Sequence, residues 1–254
     1  MFYFFSDPDL RGGQCIDNLD LCYVNFSDEP LMDTSRKKYH IERYLFYCDE
    51  MLDIAVLRIK TCPGDNLPPG LKLRSQNIDT SILPNASIIG YGHPGQSRNN
   101  MKVIEPHCRI VNANTPEVRS ALLWLSQAGK TQNFKQDLSW QGKDPREVDL
   151  GYKNYDADFK ILFHCYMEHG SSGGPIIRVC HGSQDNAKSI EVIGIVTHGI
   201  PEFFFNLSPM AKLHFPSKYR FEAGTRTSHM YMRMKERSRE LADHLFLEPM
   251  DIDN

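Results

Sequence analysis

Apolar residues fall mostly in short runs, alternating apolar with polar or apolar on both faces, and the helical period appears only locally. In the first sixty residues LCYVNFS, YHIERYLFYC and DIAVLRIK read as strands. The last is apolar on both alternating faces, as expected for a strand covered on both sides. From 61 to 87, four prolines and two glycines with little periodicity predict a linker. SIIGYGHPG and MKVIEPHCRIV restart the strand pattern, KILFHCYM and PIIRV flank a glycine-serine cluster, and SIEVIGIVTHGI is a further strong strand. The stretch 112–158 is polar, with one helical patch where Val118, Ala121, Leu122 and Leu125 recur at helical spacing. At the end, 228–247 predicts an amphipathic helix with Ser228 as N-cap. Met230, Met234, Leu241 and Leu245 lie along one face, and the charged MRMKERSRE forms the solvated side. No internal repeat is visible.

A chain of 254 residues holds one large domain or two small ones, with length enough for a real core. Its net charge of −3, from 29 basic and 32 acidic side chains, carries no global signal for nucleic acid or an anionic membrane. The opening MFYFFSDPDL meets Asp7 and Asp9 too early for a signal-peptide core, and no run approaches membrane-spanning length, so a soluble, non-secreted protein is expected. The 7 cysteines lack the regular spacing of a disulfide framework, which favours a reducing compartment. The sequons at Asn25, Asn85 and Asn206 therefore carry no expectation of glycosylation. His164, Cys165, His169, Cys180 and His181 fit zinc-ligand spacing poorly, and neither metal nor cofactor is expected.

The glycine-serine cluster is EHGSSGGPII, residues 168–177. Such clusters commonly mark turns and nothing more. Flanking strand patterns instead favour a rigid turn, and chemistry gives it a second reading. A serine hydroxyl becomes a nucleophile only when a base takes its proton and N–H donors face the oxyanion it creates, and glycine permits the backbone angles such a cradle needs. Here Ser172 is the candidate nucleophile, and the N–H groups of Gly170 and Ser172 are the candidate oxyanion donors.

Three stretches, LDIAVLRI, HGSSGGP and IGIVTHG, together resemble the trypsin-like (chymotrypsin-fold) serine proteases over roughly residues 20–220. The interval from Asp53 to Ser172 exceeds the roughly 93 residues of chymotrypsin, and the polar stretch 112–158 can absorb the excess. IIGYGHPGQ with VIEPHCRIV is similar to the intracellular animal members linked to DNA replication and removal of proteins crosslinked to DNA. The resemblance implies an all-β fold: a double six-stranded Greek-key barrel of the chymotrypsin type, its N-terminal barrel truncated, plus a C-terminal α-helix. The implied division is 1–80 for the partial first barrel and linker, 81–220 for the second barrel, and 221–254 for helix and tail. It also implies roles: Asp53 orients an imidazolium, Ser172 attacks, and Thr197, His198 and Gly199 pair with a polypeptide substrate. Tyr166, at the base of the implied specificity pocket, carries no negative charge and points to apolar or aromatic side chains. Nuclear or cytoplasmic location and replication-associated partners rest on the resemblance alone.

Two departures matter. In chymotrypsin the base precedes the aspartate by about 45 residues, yet the first histidine here is His40, too close to Asp53, and His93 follows it in a glycine-proline turn. None of the 10 histidines matches the role. The simplest expectation is a chain that begins just after that histidine, and one that hydrolyses peptides poorly or not at all. Ser171 stands where secreted relatives place the aspartate that pairs with a newly cut N-terminus, which argues against activation by cleavage. The competing reading is an inactive protease-fold module that binds extended peptides by strand addition along 193–199.

Overall fold

The long hairpin of the N-terminal half forms because YHIERYLFYC and DIAVLRIK, both strand-like, are separated by a short polar turn. In the computed structural model, which describes residues 2–5, 14–15, 23–24, 38–65, 67, 70–78, 85–91, 102–165, 167, 171–181 and 188–247, these are β4 (Tyr39–Asp49) and β5 (Ile54–Ile59). Three shorter strands precede them: β1 (Phe2–Phe5), β2 (Gln14–Cys15) and β3 (Tyr23–Val24). The sheet runs β1-β5-β4-β2, with β3 also on β4. Ile54, Val56, Leu57 and Ile59 are all buried, so β5 is covered on both faces as its pattern required. Among the described residues this sheet is open, and β1 runs parallel to β5.

The next segment is more ordered than its composition predicts. Within the expected linker, β6 (Lys72–Arg74) pairs parallel with a strand of the second half, because Leu73 is buried among apolar side chains there. Six further strands close on themselves: β7 (Asn85–Tyr91), β8 (Lys102–Val111), β9 (Lys160–His164), β10 (Pro175–His181), β11 (Lys188–Ile200) and β12 (Phe221–Arg226). Their order is β7-β8-β9-β12-β11-β10, with β10 paired back onto β7 and every pairing antiparallel. Register shifts at Ala86/Ile88, Ile176/Ile177 and Val196/His198 supply the bends a closed sheet needs. Ile88, Cys108, Phe163, Ile176 and Ile193, from five different strands, fill the inside.

The barrel extends past the expected boundary at 220, since β12 is one of its six strands. FEAGTR has no apolar alternation to announce it. Glu222 is buried there with Arg220 3.8 Å away, which accounts for a charged residue inside a buried strand.

The all-β expectation is corrected to a mostly β fold with substantial helix. Residues 112–158 hold α1 (Pro116–Leu125), α2 (Ala128–Trp140) and α3 (Glu147–Leu150). α1 starts where Thr115 accepts a hydrogen bond from Val118 N and proline takes the first turn. α2 buries only Phe134 and Leu138, too few to announce a helix. Phe134 is held by Trp124, Phe203 and Phe215 from elsewhere in the chain. After β11 come α4 (Phe203–Asn206) and α5 (Pro209–Leu213).

The terminal helix is two helices, α6 (Thr227–Arg237) and α7 (Arg239–Leu245), broken where Ser238 turns extended, and followed by β13 (Phe246–Leu247). Ser228 lies inside α6 and Arg226 takes the cap position, correcting the expected N-cap. Met230, Met234 and Leu241 pack against Tyr47, Leu52 and Val56 of the first hairpin. Among the described residues no helix is long and apolar enough to cross a membrane.

Candidate functional site

The serine turn is rigid. Gly174 N donates to Ser171 O at 2.8 Å, Gly173 N to Val196 O at 2.8 Å, and Val196 N returns a bond to Gly174 O at 2.9 Å, so the turn is fastened to β11. Gly173 has φ +95°, a conformation closed to most side chains, and a Cβ on Gly174 would overlap the Ile89 carbonyl oxygen. Both glycines are structural requirements of this turn. Ser171 is buried beside Gly90, whereas Ser172 is exposed. Its Oγ donates to the Thr197 carbonyl oxygen at 2.8 Å. Gly170, Tyr166, His93 and His169 lie outside the described residues.

Asp53 ends the turn between β4 and β5. It is exposed, has φ +53°, and its N–H donates to Glu50 O at 3.3 Å. Aspartate is among the few non-glycine residues that tolerate this backbone region. The turn is held from below by Asp49, whose Oδ1 accepts from Met51 N at 3.1 Å and Leu52 N at 3.2 Å. It is held against the barrel by Thr225, whose Oγ1 donates to Leu52 O at 2.8 Å.

Asp53, Thr197 and His198 meet in one cavity of about 230 Å³, whose walls also include Lys160, Glu202 and Thr225. Ser172 joins this group through its bond to Thr197. Gly199, the third residue of that segment, has Phe205 packed where a side chain would sit. The alcohol is therefore bonded to β11 at Thr197, and the acid shares a cavity with that residue.

The imidazole in this cavity is His198, whose Nε2 lies 3.0 Å from Lys160 Nζ. Burial, and then the charge of Lys160, push the His198 pKa down to about 4, with Asp53 pulling weakly the other way. At neutral pH the ring is uncharged and Nε2 accepts the lysine's hydrogen bond. The 3.4 Å approach of Glu202 to the same nitrogen is consequently not an ion pair at that pH. Burial also lowers the Lys160 pKa, helped by Lys153 and opposed by Glu202 and Asp53.

Chemically the site has an exposed alcohol, an aspartate, a lysine and a neutral imidazole, but the imidazole's accepting nitrogen is taken by Lys160 and the serine's proton rests on a carbonyl. Sequence reasoning passed over His198 as a titrating group, because it sits in a strand read only for its backbone. A lysine opening the apolar ILF run of β9 was the available signal. No family model matches the chain, and no curated protein matches it in sequence.

Proposed function

We propose that this chain is a serine endopeptidase of the trypsin-like class in architecture, acting on polypeptide through Ser172 and Asp53, and held without a working base. In this reading β7–β12 are the second of two chymotrypsin-type Greek-key barrels. The reading is supported most by the bond from Ser172 Oγ to Thr197 O, since it ties a nucleophile-type turn to the strand that lines Asp53's cavity. A serine activated for attack donates to a base instead. The chain as it stands therefore binds substrate and turns it over poorly or not at all. Family-level details, including an apolar preference through Tyr166 and replication-linked partners, remain part of this proposal.

One observation favours binding without turnover as a second reading. Past Val196, whose N–H and carbonyl oxygen are bonded to the serine turn, β11 is paired strand to strand with β12 alone among the described residues, through His198–Ala223, Gly199–Glu222 and Ile200–Phe221. On the other edge Thr197 O accepts from Ser172 Oγ, so an added strand would pair beyond that contact, along His198–Ile200. Titrating the protein with extended peptides while following the amide signals of Thr197–Ile200 tests both readings. Saturable shifts without cleavage are expected. Cleavage at protease-like rates, abolished in Ser172→Ala, would overturn the inactivity, and absence of any shift would remove the peptide-binding reading altogether.

A further inference from the structure

Two thiols meet inside the closed barrel. Ile110 of β8 stands opposite Phe163 of β9 in the antiparallel ladder, and both side chains belong to the barrel's apolar filling. Side chains alternate between faces along a strand, so the next inward pair in the same register is Cys108 opposite Cys165, the residue that follows β9. Burial agrees with that register. Cys108 is wholly buried among Ala86, Phe163 and Ile176, and Cys165, half-buried, packs against the same cluster. Neither is in a disulfide, and the two thiols are hydrogen-bonded to each other.

Residues directly opposite on antiparallel strands have Cα atoms about 4.5–5.5 Å apart, inside the range of about 4.4–6.8 Å that a disulfide spans. A bridge between β8 and the end of β9 therefore needs no movement of the strands. One buried cysteine serves as a small apolar side chain and nothing more. A second in register, only half covered, adds a reaction that one alone lacks.

The two thiols differ in their surroundings. Cys108 Sγ donates to the Glu105 carbonyl oxygen at 3.6 Å, which leaves its sulfur to accept from the Cys165 thiol. That bond first, and burial second, push the Cys165 pKa well above its ordinary value, and the charges of Glu222 and Glu105 act in the same direction. Little thiolate forms at neutral pH, so the pair rests reduced and responds only to a sustained oxidant.

We propose that Cys108 and Cys165 form a reversible intramolecular disulfide when the protein meets hydrogen peroxide, fastening the end of β9 to β8. The Cys165 sulfur attacks one peroxide oxygen, the O–O bond breaks, and hydroxide leaves as water with the Cys165 proton, giving a sulfenic acid. The Cys108 sulfur then attacks the Cys165 sulfur, the S–O bond breaks, and a second hydroxide leaves as water with the Cys108 proton. Two thiols are oxidised to one disulfide, one peroxide is reduced to two waters, and the protein loses two hydrogens. A dithiol reverses the bridge by exchange. The bridge closes a loop that contains α1, α2 and α3, and its β9 end stands seven residues before Ser172. It thus joins both ends of the helical insert just ahead of the serine turn, and the inference is independent of the peptidase reading.

The full chain is treated with excess hydrogen peroxide under native conditions, quenched with catalase, unfolded in N-ethylmaleimide and digested for mass spectrometry. A linked peptide pair joining Cys108 to Cys165 is expected in the monomer, with the loss of two hydrogens and of both alkylation sites, all restored by dithiothreitol. Cys108→Ala removes the resolving thiol and should leave Cys165 as a sulfenic acid that dimedone traps. Should that variant fail to fold, Cys165→Ser removes the attacking thiol, and Cys108 should then stay reduced and be alkylated on unfolding. The proposal is overturned by a wild type in which both cysteines are still alkylated, in which either bridges a different cysteine, or in which Cys165 proceeds to sulfinic acid while Cys108 stays free. Absence of the dimedone adduct in folded Cys108→Ala, or oxidation of Cys108 in Cys165→Ser at the wild-type rate, would overturn it equally.

Discussion

Lys160 Nζ lies 3.0 Å from His198 Nε2, and this contact fixes what the site's imidazole can do. A lysine ammonium only donates, so the nitrogen facing it must be the acceptor, and the ring's remaining proton sits on Nδ1. The lone pair a serine would need is spent on the lysine. Protonating the ring would set two cations side by side, which is why burial and Lys160 act in the same direction on its pKa.

Replacing Lys160 with methionine should therefore raise the His198 pKa from about 4 towards its ordinary 6.5 without fully reaching it, because burial is the larger cause and persists. An NMR titration of the imidazole reads the change directly. An unmoved value in Lys160→Met would mean that the lysine's charge plays no part.

The same residue makes stability depend on pH. His198 titrates near 4 when folded and near 6.5 when unfolded. Above 6.5 both states are neutral and nothing is lost. As pH falls from 6.5 to 4 the unfolded chain takes up a proton that the folded chain refuses, so stability declines across that window and levels off below it. With the side chain 25% exposed, the total is roughly 2–3 kcal/mol at pH 4. Denaturant unfolding of wild type and His198→Phe at several pH values isolates this part: the difference between the two should shrink or reverse in the variant's favour as pH drops through the window.

Ser172 is exposed and hydrogen-bonded to a carbonyl, so a fluorophosphonate probe should reach it and still react slowly. Labelling within minutes at neutral pH, lost in Ser172→Ala, would show that some group activates it. Thr197→Pro is unsuitable as a control because Thr197 Oγ1 also holds Ala223 O at 3.2 Å.

Much of this arrangement was legible in local pattern. The alternation and double-sided apolar runs marked β4, β5, β7, β8, β10 and β11, and GSSGGP marked a turn whose rigidity follows from Gly173 and Gly174. What stayed hidden depends on partners far along the chain. α2 has a weak apolar stripe and is held by an aromatic cluster from three other segments. β12 contains a buried glutamate that Arg220, outside the strand, approaches to 3.8 Å. In CDEMLD two aspartates stand four residues apart, and nothing local says that Asp49 is buried while Asp53 is exposed. The difference comes from Arg233 and Arg237 on α6.

Gly174→Ala should be costly out of proportion to one methyl group. The added Cβ would meet the backbone oxygen of Ile89 in β7, which cannot rotate away as a side chain can. Relief requires moving the serine turn or opening the β7–β10 pairing, and a loss of roughly 2–3 kcal/mol in chemical denaturation is expected, the upper part of the range for overpacking.

The carboxylate that carries structural weight in the first hairpin is Asp49, and substitution should separate its functions. It is 2% exposed and accepts from Met51 N and Leu52 N through Oδ1, while Oδ2 receives Tyr47 OH at 3.3 Å and Arg233 Nε at 3.1 Å. Asn at this position keeps the turn acceptor and loses the charge; Ala loses both and leaves Arg233 facing an empty wall. Asp49→Ala should cost roughly 2–4 kcal/mol and Asp49→Asn roughly half of that, whereas Asp53→Asn, exposed and tolerant of its left-handed backbone, should change stability by under about 0.5 kcal/mol. Tyr47 offers an independent readout, since its pKa is pushed up to about 12 by burial first and the Asp49 charge second. In Asp49→Asn the phenol should ionise at lower pH, as Arg237 and Arg233 then act on it unopposed, and an ultraviolet titration would detect this. Equal stability for the Asn and Ala variants would mean that the turn bonds contribute nothing and the ion pair everything.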